Sequence, residues 1–142
     1  MKKFWLVCVV LIAVILFSAN MYSQPVPKRL IQMNETQITE NLLTGMNSCN
    51  KGLCASCVYM IGDLCCKKGV IKLMSLLHNA ECEEIRILAA LSLCKIGDGR
   101  GIFAVKRAAI YDESERVKRL CGVFYKAFES GKIYVQEPNF KS

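Results

Sequence analysis

The triplet Ile61-Gly62-Asp63 returns as Ile96-Gly97-Asp98, 35 residues further on. Aligned on it, Leu53-Cys54-Ala55 lies over Leu88-Ala89-Ala90. A third copy follows at an offset of 32: Ile85-Arg86 falls over Val117-Lys118, Leu88-Ala89-Ala90 over Leu120-Cys121-Gly122, and Ile96 over Phe128. A threefold unit of this length constrains the fold strongly. It is the period of helical solenoids, in which one hairpin cannot bury its apolar face alone and must stack on its neighbours. No proline occurs between Glu35 and Ser130, as helix interiors require, and no useful strand-like alternation is present.

Each unit reads as two helices. In the middle unit Val70, Ile71, Met74 and Leu77 are spaced for one helical face, and His78-Asn79-Ala80-Glu81 reads as a turn. Glu83 and Glu84 then open a second helix, where acids suit the positive dipole end. That helix is expected to bury Ile85, Leu88, Ala89 and either Leu91 or Ser92. Gly97 suits its exit because glycine enters the left-handed region cheaply. Asp98 is placed to cap the helix that follows. Capping also accounts for Asp63, and for Asp112 or Ser114 ahead of Glu115 to Phe128.

The run from Glu84 to Asp98 resembles the second helix and exit turn of a HEAT repeat. It is similar to the bacterial subtype first associated with phycobilin lyases: an apolar-Arg pair (Ile85-Arg86), two small residues (Ala89-Ala90), Leu91, then Ile96-Gly97-Asp98. The likeness covers about residues 36–129 and is strongest in the middle unit. The first unit has Asn50-Lys51 at the apolar-Arg position; the third has Lys118 for Arg and no closing Gly-Asp. Such departures fit end caps, which must meet water on one face. The resemblance implies an all-α fold, a short right-handed α-solenoid of about three helical hairpins. Repeats of this kind usually bind other proteins.

Upstream, Met1-Lys2-Lys3 leads into an apolar run from Phe4 to Phe17 and then small and polar residues, Ser18 to Gln24. This is the layout of a secretory signal peptide, and the run is shorter than the roughly 20 residues of a spanning helix. The expected organisation is a signal peptide at 1–23, a leader at 24–35, the repeat domain at 36–130 and a tail at 131–142. The mature chain is expected to be periplasmic or extracellular without a membrane span, an uncleaved anchor being the alternative. Residues 1–23 take two lysines and no acid with them. The 19 basic and 12 acidic residues become 17 and 12, so the net charge falls from +7 to +5.

Eight cysteines follow the signal: Cys49, Cys54, Cys57, Cys65, Cys66, Cys82, Cys94 and Cys121. Export and an even count invite disulfides. Cys54 and Cys121 occupy the small core position of Ala89 two repeats apart, beyond bridging reach if helices step by about 8–10 Å. Cys49 with Cys82, and Cys57 with Cys94, are the candidate bridges; buried thiols are the other reading. Cys54-x-x-Cys57 admits a redox or metal module, although no second such pair exists and His78 is the sole histidine. Among the basic residues, Lys72, Arg86, Lys106, Arg107, Lys118 and Arg119 form the candidate protein-binding face. No phosphate loop, nucleophile motif or dinucleotide fingerprint is present, so no catalytic residue, cofactor or metal is expected. The expected function is a protein-protein interaction scaffold, with self-association compatible with so short a stack. The alternatives are the Cys54/Cys57 thiol or metal module and nucleic-acid binding by a basic helical face, the latter disfavoured by export.

Overall fold

A computed structural model describes residues 35–133. The expected signal peptide, nearly all of the leader, and the tail from Tyr134 onward lie outside the described residues. Within them the chain is all-helical: α1 (Glu35–Gly45), α2 (Lys51–Asp63), α3 (Val70–Asn79), α4 (Glu83–Ile96), α5 (Gly99–Tyr111) and α6 (Glu115–Glu129). A 3-10 turn at Lys67–Gly69 leads into α3.

Side chains mark most of the helix starts. Asn50 accepts from the Leu53 amide at 3.0 Å ahead of α2, and Asp98 from the Arg100 amide at 3.0 Å ahead of α5. Ser114 accepts from the Val117 amide at 3.3 Å ahead of α6. Each satisfies one amide that the first turn leaves without a helical partner. Helix α4 has no side-chain cap but carries Glu83 and Glu84 in its first turn, where the helix dipole favours them. Gly97 ends α4 in the left-handed region at φ 69°, as expected.

The matching triplet at 61–63 behaves differently. Gly62 lies within α2, which continues to Asp63, and the left-handed residue of that turn is Cys65, at φ 49°. Gly62 is required for space instead: a Cβ there would sit 2.7 Å from the Ser92 Cα on α4. Asp63 is not a cap. It is the last residue of its helix, and its carboxylate takes a 2.9 Å hydrogen bond from Lys95 Nζ. Asp112 is not the cap of α6 either, since that role falls to Ser114; Asp112 follows α5 and accepts from the Ser114 amide at 2.9 Å.

Helices α2, α4 and α6 pack side by side with α4 in the middle, while α3 and α5 pack on each other and on that row; α1 rests on α2. The core runs through all of this, from Val58 and Ile61 through Leu73, Ala89 and Leu93 to Val105, Val117 and Cys121. Fully burying an aliphatic side chain contributes about 1.5–3 kcal/mol. Small residues in the middle helix keep the row tight: Ala89 and Ala90 are wholly buried, and the Ser92 hydroxyl donates to the Val58 carbonyl at 2.9 Å. The face of α3 differs from expectation. Val70, Leu73 and Leu77 point inward with Met74 partly covered, whereas Ile71 is exposed. Val70, Leu73 and Leu77 follow the i, i+3, i+7 stripe, and Ile71 sits about a quarter-turn away from it. On α4, Ser92 is buried, and Leu88 and Leu91 are half-buried.

Candidate functional site

A groove with a concave, largely apolar surface lies between α3 and α5. It has a volume of about 360 Å³ and is lined by Met74, Leu77 and His78 from α3, by Ala104, Arg107, Ala108 and Tyr111 from α5, and by Asp112 just beyond it. The helical period brings these residues together. Met74, Ser75 and His78 lie on one stripe of α3; Ala104, Arg107, Ala108 and Tyr111 lie on one stripe of α5. Two alanines one turn apart leave the floor open. Tyr111 forms a wall and is 74% exposed; Phe103, on the same helix, is 62% exposed, and Ile71, on α3, 61%. Large apolar side chains left this exposed are candidates for an interaction surface when they lie together, and of these three Tyr111 lines the groove. Sequence reasoning missed it because α5 was not assigned a face. The available signal was the i, i+3, i+4, i+7 spacing of 104, 107, 108 and 111.

The candidate basic face does not form one surface. Arg86 is drawn inside: its guanidinium donates to the Ala80 carbonyl at 2.7 Å and to Asp112 at 3.2 Å, and its side chain is only 13% exposed. Lys118 pairs with Glu115 at 2.6 Å. Lys106 lies 5.4 Å from the centre of the Tyr125 ring, within cation–π range. Lys72 lines a separate cavity near Met46, Cys54 and Cys82. Arg119 is exposed on α6. Of the six, only Arg107 lines the groove. The acids that precede or open the last helix engage two of these cations, Arg86 and Lys118, which spacing along the chain could not show.

The cysteines divide by burial. Cys54 and Cys57 are 6% and 5% exposed. Cys54 donates to the Met46 carbonyl at 3.3 Å, and burial, with the Cys57 thiol beside it, raises its pKa. A thiol buried and raised in this way is poorly suited to attack or to metal ligation, both of which need the thiolate. Cys94 and Cys121 are fully buried, and desolvation pushes each to about 12. All eight described cysteines are unbridged. The thiols that influence one another are Cys54 with Cys57 and Cys82, and Cys94 with Cys121. Cys82, ahead of α4, donates to the Glu84 carboxylate at 3.0 Å; this bond, the Glu84 backbone amide and Arg116 hold Glu84 at about 2.

Among the described residues no group of three or more His, Cys, Asp or Glu is placed to hold a metal ion, and no helix is long and apolar enough to cross a membrane. Comparison with protein-family models, curated proteins and solved structures gave no match.

Proposed function

We propose that the chain is an exported, non-enzymatic protein-interaction scaffold built as a short right-handed stack of three HEAT-like hairpins, with the α3–α5 groove as its binding surface. The three aligned sequence units support the stack, as does the packing of second helices α2, α4 and α6 in one row. The observation that carries the function is the groove itself: a concave apolar surface whose wall, Tyr111, is largely solvent-exposed. Leaving that much aromatic surface in water is unfavourable at about 25 cal/mol per Å² of apolar area, and covering it with a partner recovers the difference.

The test is site-specific photo-crosslinking in the native host. A photoreactive residue replaces Tyr111, and a control replaces Ser56, an exposed residue of α2. The expected result is a discrete cross-linked protein at position 111 that is absent at 56. Identical background at both positions overturns the scaffold reading. Export is checked separately by N-terminal sequencing of the protein recovered outside the cytoplasm, with a new N-terminus expected between Ala19 and Gln24.

A further inference from the structure

The helices that form the groove carry charge of one sign only. Neither α3 nor α5 contains an Asp or Glu, although together they hold Lys72, Arg100, Lys106 and Arg107. The acids that flank α5 are already engaged: Asp98 by Arg100 at 3.1 Å and Asp112 by Arg86 at 3.2 Å. Arg107 is exposed, lines the groove and has no ion pair among the described residues. The groove is therefore lined by apolar side chains and by one cation without an ion pair, Arg107, while the acid that also lines it, Asp112, is engaged by Arg86.

We propose that the α3–α5 groove binds an acidic amphipathic helix of a partner protein, seating apolar side chains over Ala104 and Ala108 and a carboxylate on Arg107. This rests on the scaffold reading and names the chemistry of the partner. A helix fits better than an extended peptide. Every described element is helical, so the groove offers no strand edge to satisfy an extended backbone, whereas a helix satisfies its own. Met74 adapts to different inserted side chains because its thioether chain is flexible. The concave shape admits inserted side chains, which a flat lipid surface does not supply. Arg107, the one Lys or Arg that lines the groove, favours encounter with an acidic partner and sets its orientation.

The experiment pans a displayed library of helix-forming peptides on the purified exported protein and discards peptides that still bind Tyr111→Ala or Ala104→Leu, two uncharged changes in the groove lining. Circular dichroism confirms that both variants fold. The expected survivors are amphipathic and rich in Asp and Glu. The tightest of them, as a free synthetic peptide, should bind Arg107→Glu about tenfold more weakly. It should also weaken as salt rises, and a Lys-for-Glu version should recover affinity on Arg107→Glu. Groove-dependent peptides without acidic enrichment, or indifference to Arg107→Glu, overturn the acidic partner while leaving a scaffold that binds something else. A failure to select any groove-dependent peptide also overturns it, as does sedimentation with anionic phospholipid vesicles that depends on Tyr111. The scaffold reading falls only if position 111 also gives no specific cross-link.

Discussion

A methyl group added at Gly62 and one added at Gly122 have opposite expected effects, although both glycines lie within helices of the same row. At Gly62 the new Cβ meets the Ser92 backbone at 2.7 Å, so α2 and α4 must separate, straining the Ser92–Val58 hydrogen bond. Overpacking of this kind costs about 1–3 kcal/mol, more than the roughly 1 kcal/mol that alanine gains over glycine in a helix. Gly62→Ala is therefore expected to destabilise. At Gly122 the nearest atom is the Ala109 Cβ at 4.0 Å, so Gly122→Ala should stabilise by about 0.5–1 kcal/mol. Urea denaturation of both variants reads the two signs, and equal signs contradict the packing described. The repeat alignment was informative at one of these sites, since Gly122 aligns with Ala55 and Ala90. It misled at the other, because a Gly before Asp reads as an exit turn whether the constraint is backbone angle or space. Cys94 and Cys121 make a second residue-scale prediction. Their native pKa of about 12 exceeds the ordinary 9.0, so between these values the unfolded chain loses thiol protons that the native state keeps. Stability from these groups is complete below about pH 9 and falls as the pH rises toward 12. Cys121→Ala, which installs the residue already present at the aligned Ala89, should flatten the fall. A urea midpoint that changes equally between pH 8 and pH 10.5 in both proteins contradicts this.

At the level of elements, Arg86 links two turns. Its helix, α4, follows the α3–α4 turn, whose Ala80 carbonyl the guanidinium engages at 2.7 Å. The same group reaches Asp112 in the α5–α6 turn, and Asp112 in turn receives the Ser114 amide. The side chains are 13% and 9% exposed, so removing one partner leaves a largely desolvated charge. Arg86→Met is expected to cost about 3 kcal/mol, at the low end for a broken buried pair because some water contact remains. Arg86→Met with Asp112→Leu should recover part of that loss. If Arg86→Met leaves the urea midpoint unchanged, the turns do not depend on this link. The sequence shows Arg86 in an apolar-Arg pair that aligns with Val117-Lys118 but gives no sign that it turns inward. That depends on Asp112, which is 26 residues away and reads alone as a helix cap. Lys118, the aligned residue in the third unit, pairs among the described residues with the exposed Glu115, so one motif position carries different energetics in two units. The helices themselves were legible, since turn residues and apolar periodicity are local signals. The groove between α3 and α5 was not, because it belongs to two helices and arises only when they pack.

Across the whole domain, stability should be graded from the middle outward. Helix α4 packs on α2, α3, α5 and α6, whereas α1 packs mainly on α2 and the short 3-10 turn. Helix α4 contributes Ala89, Ala90, Leu93 and Cys94, all fully buried. Opening it exposes core on several sides at once. Opening α1 uncovers far less, since Thr39 is its buried residue, with Leu42 and Leu43 partly covered. If the helices form the proposed stack, with stability from nearest-neighbour contacts, an end element opens without unfolding the rest, while the central element opens only with the whole. Native-state amide exchange should therefore find the slowest amides in α4, exchanging at the global unfolding free energy, and much faster exchange in α1. Gly62→Ala, which acts at the α2–α4 contact, should lower protection in α4 together with global stability. Gly122→Ala should raise both. Equal protection of α1 and α4 would mean that the described residues unfold as one cooperative block, and the nearest-neighbour account of the stack would then fail.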